Sequence, residues 1–312
     1  MPLVIAPGDS LHQIKDRLKP KNNIAEDCQL LIESLDELIE NTRSKAPKRE
    51  HRITLQQSPR TKGLSRPEDL VEEAIWRLWR RPSVAPVIGA WHKIIAYQVP
   101  LKNKRGDKDW GEIDLLGVSS QGLPMIVEVK AAGAKDAPQK CLVQAVAYGI
   151  AFQMAWPHFR NNWQDAIKHY GFQTGLSNQL ATVPVVCVAP KQFWDRVESQ
   201  LKNKSDREAI NDLIGCFAAC GFPAHFVSVE CSHPGADRVA MEVDATIRGP
   251  FIKPLSNEPP AVPVIERRGI WTCPESDQSQ TVTIGNTGRK NTRIKLASGE
   301  TRKVPNEQLR LC

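Results

Sequence analysis

The chain has 312 residues, 41% of them hydrophobic and 25% charged, with 42 Lys and Arg against 35 Asp and Glu, a net charge of +7 and a pI near 9.0. That length holds a sizeable core and more than one domain, and the positive balance favours a polyanionic partner. No apolar run approaches the roughly 20 residues of a membrane span, the opening MPLVIAPGDS lacks secretory-signal features, and eight Cys are far too few for a disulfide scaffold, so no membrane is expected and a reducing cytoplasm is the expected compartment.

Residues 1–45 read as a helical segment. Asp9 or Ser10 is placed to cap a short helix, LHQIKDRLK. A second helix carries Ile24, Cys28, Leu31, Leu35 and Leu38 in alternating steps of four and three, a heptad-like stripe too short for a coiled coil. It can pack on the first helix, on the body of the protein or on a second copy. Residues 46–66 read as a basic linker. Between Asn41 and Arg66 eight Lys and Arg face a single acid, Glu50, a local charge of +7 that equals that of the whole chain. Lys48, Arg49, Arg52, Arg60 and Lys62 are candidates for a phosphate-binding arm that orders on nucleic acid; the other reading is a solvated tether.

Residues 67–250 read as one α/β domain. PEDLVEEAIWRLWRR opens with a helix-starting Pro67 and shows an apolar face of Val71, Ala74, Ile75, Leu78 and Trp79, with Glu72 and Glu73 near its edge. HKIIAYQVPL, from His92, is a strand candidate, followed by the turn NKRGDKD. Next comes WGEIDLLGVSSQGLPMIVEVKAA. It reads as a β-hairpin with Asp114 on its first strand and Glu128-Val129-Lys130 on its second. Alternate strand residues share a face, so Glu128 and Lys130 point together, and hairpin pairing brings Asp114 beside Glu128. Charges set among Leu115, Leu116, Ile126 and Val127 are costly unless paired or bound to a cation. The chemistry that fits is metal-assisted hydrolysis of a phosphodiester. Hard cations such as Mg²⁺ or Mn²⁺ take oxygen ligands, which Asp114, Glu128 and the Val129 carbonyl would supply. Lys130 would orient the attacking water or offset developing charge.

This pattern resembles the PD-(D/E)XK nuclease superfamily, the restriction-endonuclease-like fold, with Asp114 as its first acid and Glu128-Val129-Lys130 as its (D/E)-X-K. In the following helix, QAVAY from Gln144 to Tyr148 is similar to the Q-x-x-x-Y motif of RecB-type nucleases in that superfamily. The resemblance implies that Gln144 helps to position the site, that Tyr148 lies towards substrate, and that an acid comes from the helix before the hairpin, with Glu73 preferred over Glu72. The chain departs from the superfamily name at Glu112-Ile113, where a Pro is nominal. The plain alternative is a surface hairpin with a Glu–Lys pair of little energetic weight, with Glu72 and Glu73 as ordinary surface acids.

Downstream, a helix is expected from Pro138 to Met154, and VPVVCVAP suits a buried central strand. KQFWDRVESQL and DREAINDLIGCFAACG read as helices, the second ending at Gly221. HFVSVEC and RVAMEVDATIR read as strands. Cys216, Cys220, His225, Cys231 and His233 lie close in sequence but lack the tight spacing of a structural zinc knuckle; buried apolar Cys is the commoner fate. Residues 251–263 form a Pro-rich linker. Residues 264–312 read as a small SH3-like or Tudor-like barrel with strands at Thr281–Ile284, Thr292–Leu296 and Thr301–Val304 and turns at Asn286–Gly288 and Ser298–Gly299. Its Arg289, Lys290 and Arg293 would contact phosphates, or the barrel would hold a protein segment. The expected fold is therefore α/β, a restriction-endonuclease-like core with a mixed central sheet flanked by helices, plus the N-terminal helices and the C-terminal barrel. The expected function is a Mg²⁺-dependent deoxyribonuclease in restriction, repair, transposition or defence, with RNA or branched DNA as other substrates. Cutting both strands of a duplex takes two sites or two events, so a homodimer or larger assembly is an expected arrangement. The competing function is a catalytically inactive nuclease-fold protein that binds DNA or assembles with partners.

Overall fold

The computed structural model describes residues 2–19, 23–47, 67–79, 93–101, 110–119, 121–168, 170, 179–201 and 203–229, and the strand residues 268–272, 279–287, 291–295, 301–305 and 309–311. The basic stretch 48–66, the turn at 103–109, the strand expected from Arg238, the Pro-rich linker, Cys231, His233, Arg289 and Lys290 lie outside the described residues. The chain divides into two units, residues 1–253 and 254–312.

The first unit is built on a five-stranded mixed sheet. Its strands β1 (Lys93–Pro100), β2 (Glu112–Val118), β3 (Pro124–Val129), β4 (Val185–Pro190) and β5 (Ala224–Val229) lie side by side in chain order. β1, β2 and β3 pair antiparallel as a meander, whereas β3–β4 and β4–β5 pair parallel. The uninterrupted apolar run VVCVAP sits in β4, and all six residues are buried. Such a run suits a strand covered on both faces: Val185, Cys187 and Ala189 join one core, and Val186 and Val188 join the other.

Seven helices are described: α1 (Leu11–Ile14), α2 (Ile24–Glu33), α3 (Leu35–Lys45), α4 (Pro67–Trp79), α5 (Pro138–Lys168), α6 (Lys191–Gln200) and α7 (Lys204–Ala219). α5 spans the larger face of the sheet. It runs well beyond the expected end at Met154, through Pro157. Phe152, Trp156, Phe159, Trp163 and Ile167 keep the apolar stripe going in steps of three and four, all buried. Packing of that stripe outweighs the hydrogen bond that Pro157 forfeits. α4 covers the other face, placing Val71, Ile75 and Trp76 on Tyr97, Leu115, Met125 and Val127.

The N-terminal helices belong to this same unit. The stripe from Ile24 to Leu38 is carried by two helices, divided at Ser34, rather than one. Of the three places the sequence leaves open for it, the structure shows two, the body of the protein and the first helix: α2 packs on α7, α3 packs on α5 and on α1, and α1 packs on α5. Asp206 of α7 accepts a hydrogen bond from the Ala25 amide across 181 residues. Ser10 takes the capping place of α1, where its N–H donates to Gln13 Oε1 at 3.1 Å, while Asp9 is engaged by Arg17 at 2.6 Å. α1 is shorter than LHQIKDRLK suggests, because Lys15–Arg17 continue as turns.

Two residues past the end of α7 stands Gly221, whose φ of +92° favours glycine. A Cβ at this residue would lie 2.5 Å from the Ala181 carbonyl oxygen, and the Gly221 carbonyl accepts from the Val183 amide, leading the chain into β4. Gly221→Ala is therefore expected to cost at least about 2 kcal/mol, seen as a fall in the urea midpoint with unchanged slope.

The second unit is a five-stranded antiparallel sheet of β6 (Arg268–Thr272), β7 (Ser279–Thr287), β8 (Asn291–Lys295), β9 (Thr301–Pro305) and β10 (Leu309–Leu311) in the order β10-β6-β7-β8-β9. Arg293 lies on β8. Asn286 and Thr287, expected in a turn, lie in β7, which extends through a register shift between Ile284 and Thr287. β6 and β10 add two strands the sequence did not single out. No helix among the described residues is long and apolar enough to cross a membrane.

Candidate active site

The hairpin turn sets the register of the two acids. Ser119 closes it: its N–H donates to the Leu123 carbonyl at 2.9 Å, and its side chain accepts from the Leu123 N–H at 3.2 Å. From there the β2–β3 ladder runs from Val118↔Pro124 to Leu115↔Val127 and stops. One step further stand Asp114 and Glu128. Here a side chain replaces the backbone partner: the Val129 N–H donates to Asp114 Oδ2 at 2.7 Å. On the other side of β3, the Lys130 N–H donates to the Val188 carbonyl of β4 at 2.8 Å. The Glu128-Val129-Lys130 triplet is thus held from both sides where β2 and β3 part.

Glu128 is buried, 1% exposed, and Lys130 is 6% exposed; Asp114 is half-buried. Lys130 Nζ donates to Glu128 Oε1 at 2.5 Å and lies 3.9 Å from Glu68. Burial, then the charges of Glu128 and Glu72, push the Asp114 carboxyl well above its ordinary pKa, against the pull of Lys130 and the Val129 N–H. Burial likewise raises Glu128, and Lys130 only partly offsets it. Burial pulls Lys130 down, but Glu128, Cys141, Asp114 and Glu68 outweigh it and hold the ammonium charged well above its usual range. Two acids that disfavour joint ionisation and one locked cation are what a site short of positive charge presents.

Glu128 Oε2 is buried and has no hydrogen-bond partner among the described residues. A carboxylate oxygen in that state fits a cation beside it. Asp114 and Glu128, with the Val129 carbonyl, are the residues that would hold Mg²⁺. Among the described residues no group of three or more His, Cys, Asp or Glu gathers with metal-binding geometry. A hard-cation site completed by a carbonyl and waters draws on fewer side chains than that.

The acids of α4 approach from the opposite face. Residues four apart share a helix face, and Glu68 and Glu72 are the two whose charges reach Lys130, Glu128 and Asp114. Glu73, the acid singled out from the sequence, is buried, and its charge is felt at Tyr97. The spacing of Glu68 and Glu72 was available in the sequence, but Glu68 lies in the first helical turn and reads there as an ordinary N-terminal acid. Glu72 is held by Gln98, whose Nε2 donates to Glu72 Oε2 at 3.2 Å. Gln98 has φ of +45°, rare outside glycine. It lies in β1 between Tyr97 and Val99, which pair with Leu115 and Ile113 on either side of Asp114.

α5 brings Gln144 and Tyr148 together. Gln144 Nε2 donates to Tyr148 Oη at 3.5 Å. Tyr148 is only 5% exposed. Its hydroxyl lies against Gly111, where a Cβ would approach it to 3.2 Å, and its ring lies beneath Lys15. Burial, followed by the charges of Glu128 and Asp114, pushes the phenol up. Tyr148 is therefore a buried support beside the acids rather than an open substrate-facing group. Cys216, Cys220 and His225 lie on α7, at its end and on β5, and both Cys are free. No protein-family model matches the chain, and neither does any of the curated proteins or solved structures with which it was compared.

Proposed function

We propose that the chain is a nuclease of the restriction-endonuclease-like fold that hydrolyses phosphodiester bonds, with DNA as substrate and Mg²⁺ or Mn²⁺ as cofactor. The observation that carries this reading is the convergence of Asp114, Glu128 and Lys130 at the parting of β2 and β3, with Glu128 Oε2 buried and without a hydrogen-bond partner among the described residues. When bound, the cation would activate water and offset the phosphate's charge. Asp114 and Glu128 hold that charge in place, and the Val129 N–H fixes the Asp114 carboxylate. Lys130 stays an ammonium, so its role is to orient the attacking water and stabilise charge on phosphate oxygens, not to accept a proton. Gln144 and Tyr148 brace the site from α5, and Glu68 and Glu72 deepen its negative field from α4.

The second unit supports a further part of this reading. Its strand order suits an SH3-like barrel, on which Arg293, with Arg289 and Lys290, would contact phosphates; Lys48, Arg49, Arg52, Arg60 and Lys62 would add a basic arm. A supercoiled plasmid is expected to be cut by the purified protein with Mg²⁺ or Mn²⁺ and to stay intact in EDTA. Asp114→Ala and Lys130→Ala are expected to lower the rate at least about 100-fold. Cleavage that both variants retain would remove the assignment of this site.

A further inference from the structure

Three lysines feel one another's charge in this region, and two of them are paired with an acid. Lys130 is paired with Glu128 at 2.5 Å and Lys140 with Asp136 at 2.6 Å. The third, Lys15, forms no ion pair among the described residues. It comes from the N-terminal segment, just after α1, and its Nζ lies 5.3 Å from the centroid of the Tyr148 ring. The segment is fixed by stacking: one turn earlier, His12 lies on Trp110 with ring centroids 4.3 Å apart. Trp110 Nε1 in turn donates to the Lys45 carbonyl at the end of α3, at 3.1 Å.

A half-buried ammonium is costly without an anion, and a ring face beneath it returns only part of that cost. Lys15 is half-buried rather than enclosed, so a ligand can reach it. Burial draws its pKa down, the charges of Asp16 and Glu128 pull it back up, and those of Lys130 and Lys140 add to the fall. These facts also give the buried Tyr148 a use, as the platform that holds this amine beside the acids.

We propose that Lys15 is a phosphate-binding residue, its ammonium seated on the Tyr148 ring and contacting a backbone phosphate of the nucleic-acid strand at the Asp114–Glu128 site. This inference rests on the nuclease reading and deepens it, since it makes α1 and the turn after it part of the substrate groove. Lys15→Gln keeps much of the stem and removes the charge, and Lys15→Arg keeps the charge.

The test is binding of a fluorescent DNA duplex by the full chain in Ca²⁺, followed by anisotropy from about 50 to 200 mM salt. Lys15→Gln is expected to bind about tenfold more weakly at the low-salt end and to flatten the slope of log K against log salt by roughly 0.9, the share of one phosphate contact. Lys15→Arg should restore the wild-type slope. A variant that merely folds less well lowers the active fraction and leaves the slope unchanged, so the slope separates the two effects. A wild-type slope for Lys15→Gln, with a wild-type protein that binds and cleaves, would overturn the role of Lys15 alone. A wild-type protein that neither binds the duplex nor cuts DNA would overturn the nuclease reading and this inference with it.

Discussion

Lys130→Ala is expected to melt roughly 10 °C below the wild type in EDTA, besides losing cleavage. The reason lies in Glu128, which is 1% exposed and among the described residues has Lys130 on Oε1 and no hydrogen-bond partner on Oε2. Removing the ammonium leaves a buried carboxylate with no countercharge in contact, a change that costs about 3–5 kcal/mol. In a unit of this size each kcal/mol shifts the melting point by about 2–4 °C. The double variant Glu128→Gln/Lys130→Met removes both charges and keeps the volume, so it is expected to recover most of the stability and none of the activity. Calorimetry of the three proteins reads this directly. Equal melting points for Lys130→Ala and wild type would mean that the Glu128–Lys130 pair does not form in the metal-free protein.

Asp114→Asn is expected to move stability the other way. The Asp114 carboxyl is raised by burial and by Glu128 and Glu72, so the folded state prefers its protonated form. A raised acid contributes stability that is fully present below its unfolded pKa of about 4 and is lost as pH rises through the folded value. At pH about 8 the wild type has lost that contribution, whereas asparagine stays neutral at every pH. The variant should therefore melt a few degrees higher than wild type in EDTA at pH 8, and the gap should close as pH falls towards 4. Adding Mg²⁺ should raise the wild-type melting point and leave the variant nearly unmoved. A gap that stays constant across this pH range would show that the acid is not raised, and with it that the two carboxylates do not share one field.

The hairpin that carries both acids was legible because its chemistry is local. Fourteen positions and a tight turn suffice to oppose Asp114 and Glu128, and a period of two puts Glu128 and Lys130 on one side. The order of strands and helices was readable for the same reason: β4 is an unbroken apolar run, and α6 and α7 show helical stripes. What the sequence could not give is contact between distant segments. Nothing in LHQIKDRLK marks Lys15 as a neighbour of Tyr148, because that approach is set by α1 settling on α5. The α4 acids depend on a distant contact in the same way. Glu73 was slightly favoured over Glu72, whereas the charges felt at Asp114, Glu128 and Lys130 include those of Glu72 and Glu68. The length of α5 was missed because the expected helix ended at Met154, whereas the aromatic stripe carries it on through Pro157 to Lys168.

The docking of α2 on α7 has a consequence for how the chain is made. The Ala25 amide and the Asp206 carboxylate that accepts it are separated by 181 residues. At about 5–20 residues per second, a ribosome needs on the order of 10–40 seconds to deliver the second after the first. Throughout that interval Ile24, Cys28 and Leu31, which are buried in the finished protein, emerge without their final cover. The nascent chain therefore presents a greasy, adhesive strip early in its synthesis, before α7 arrives to cover it.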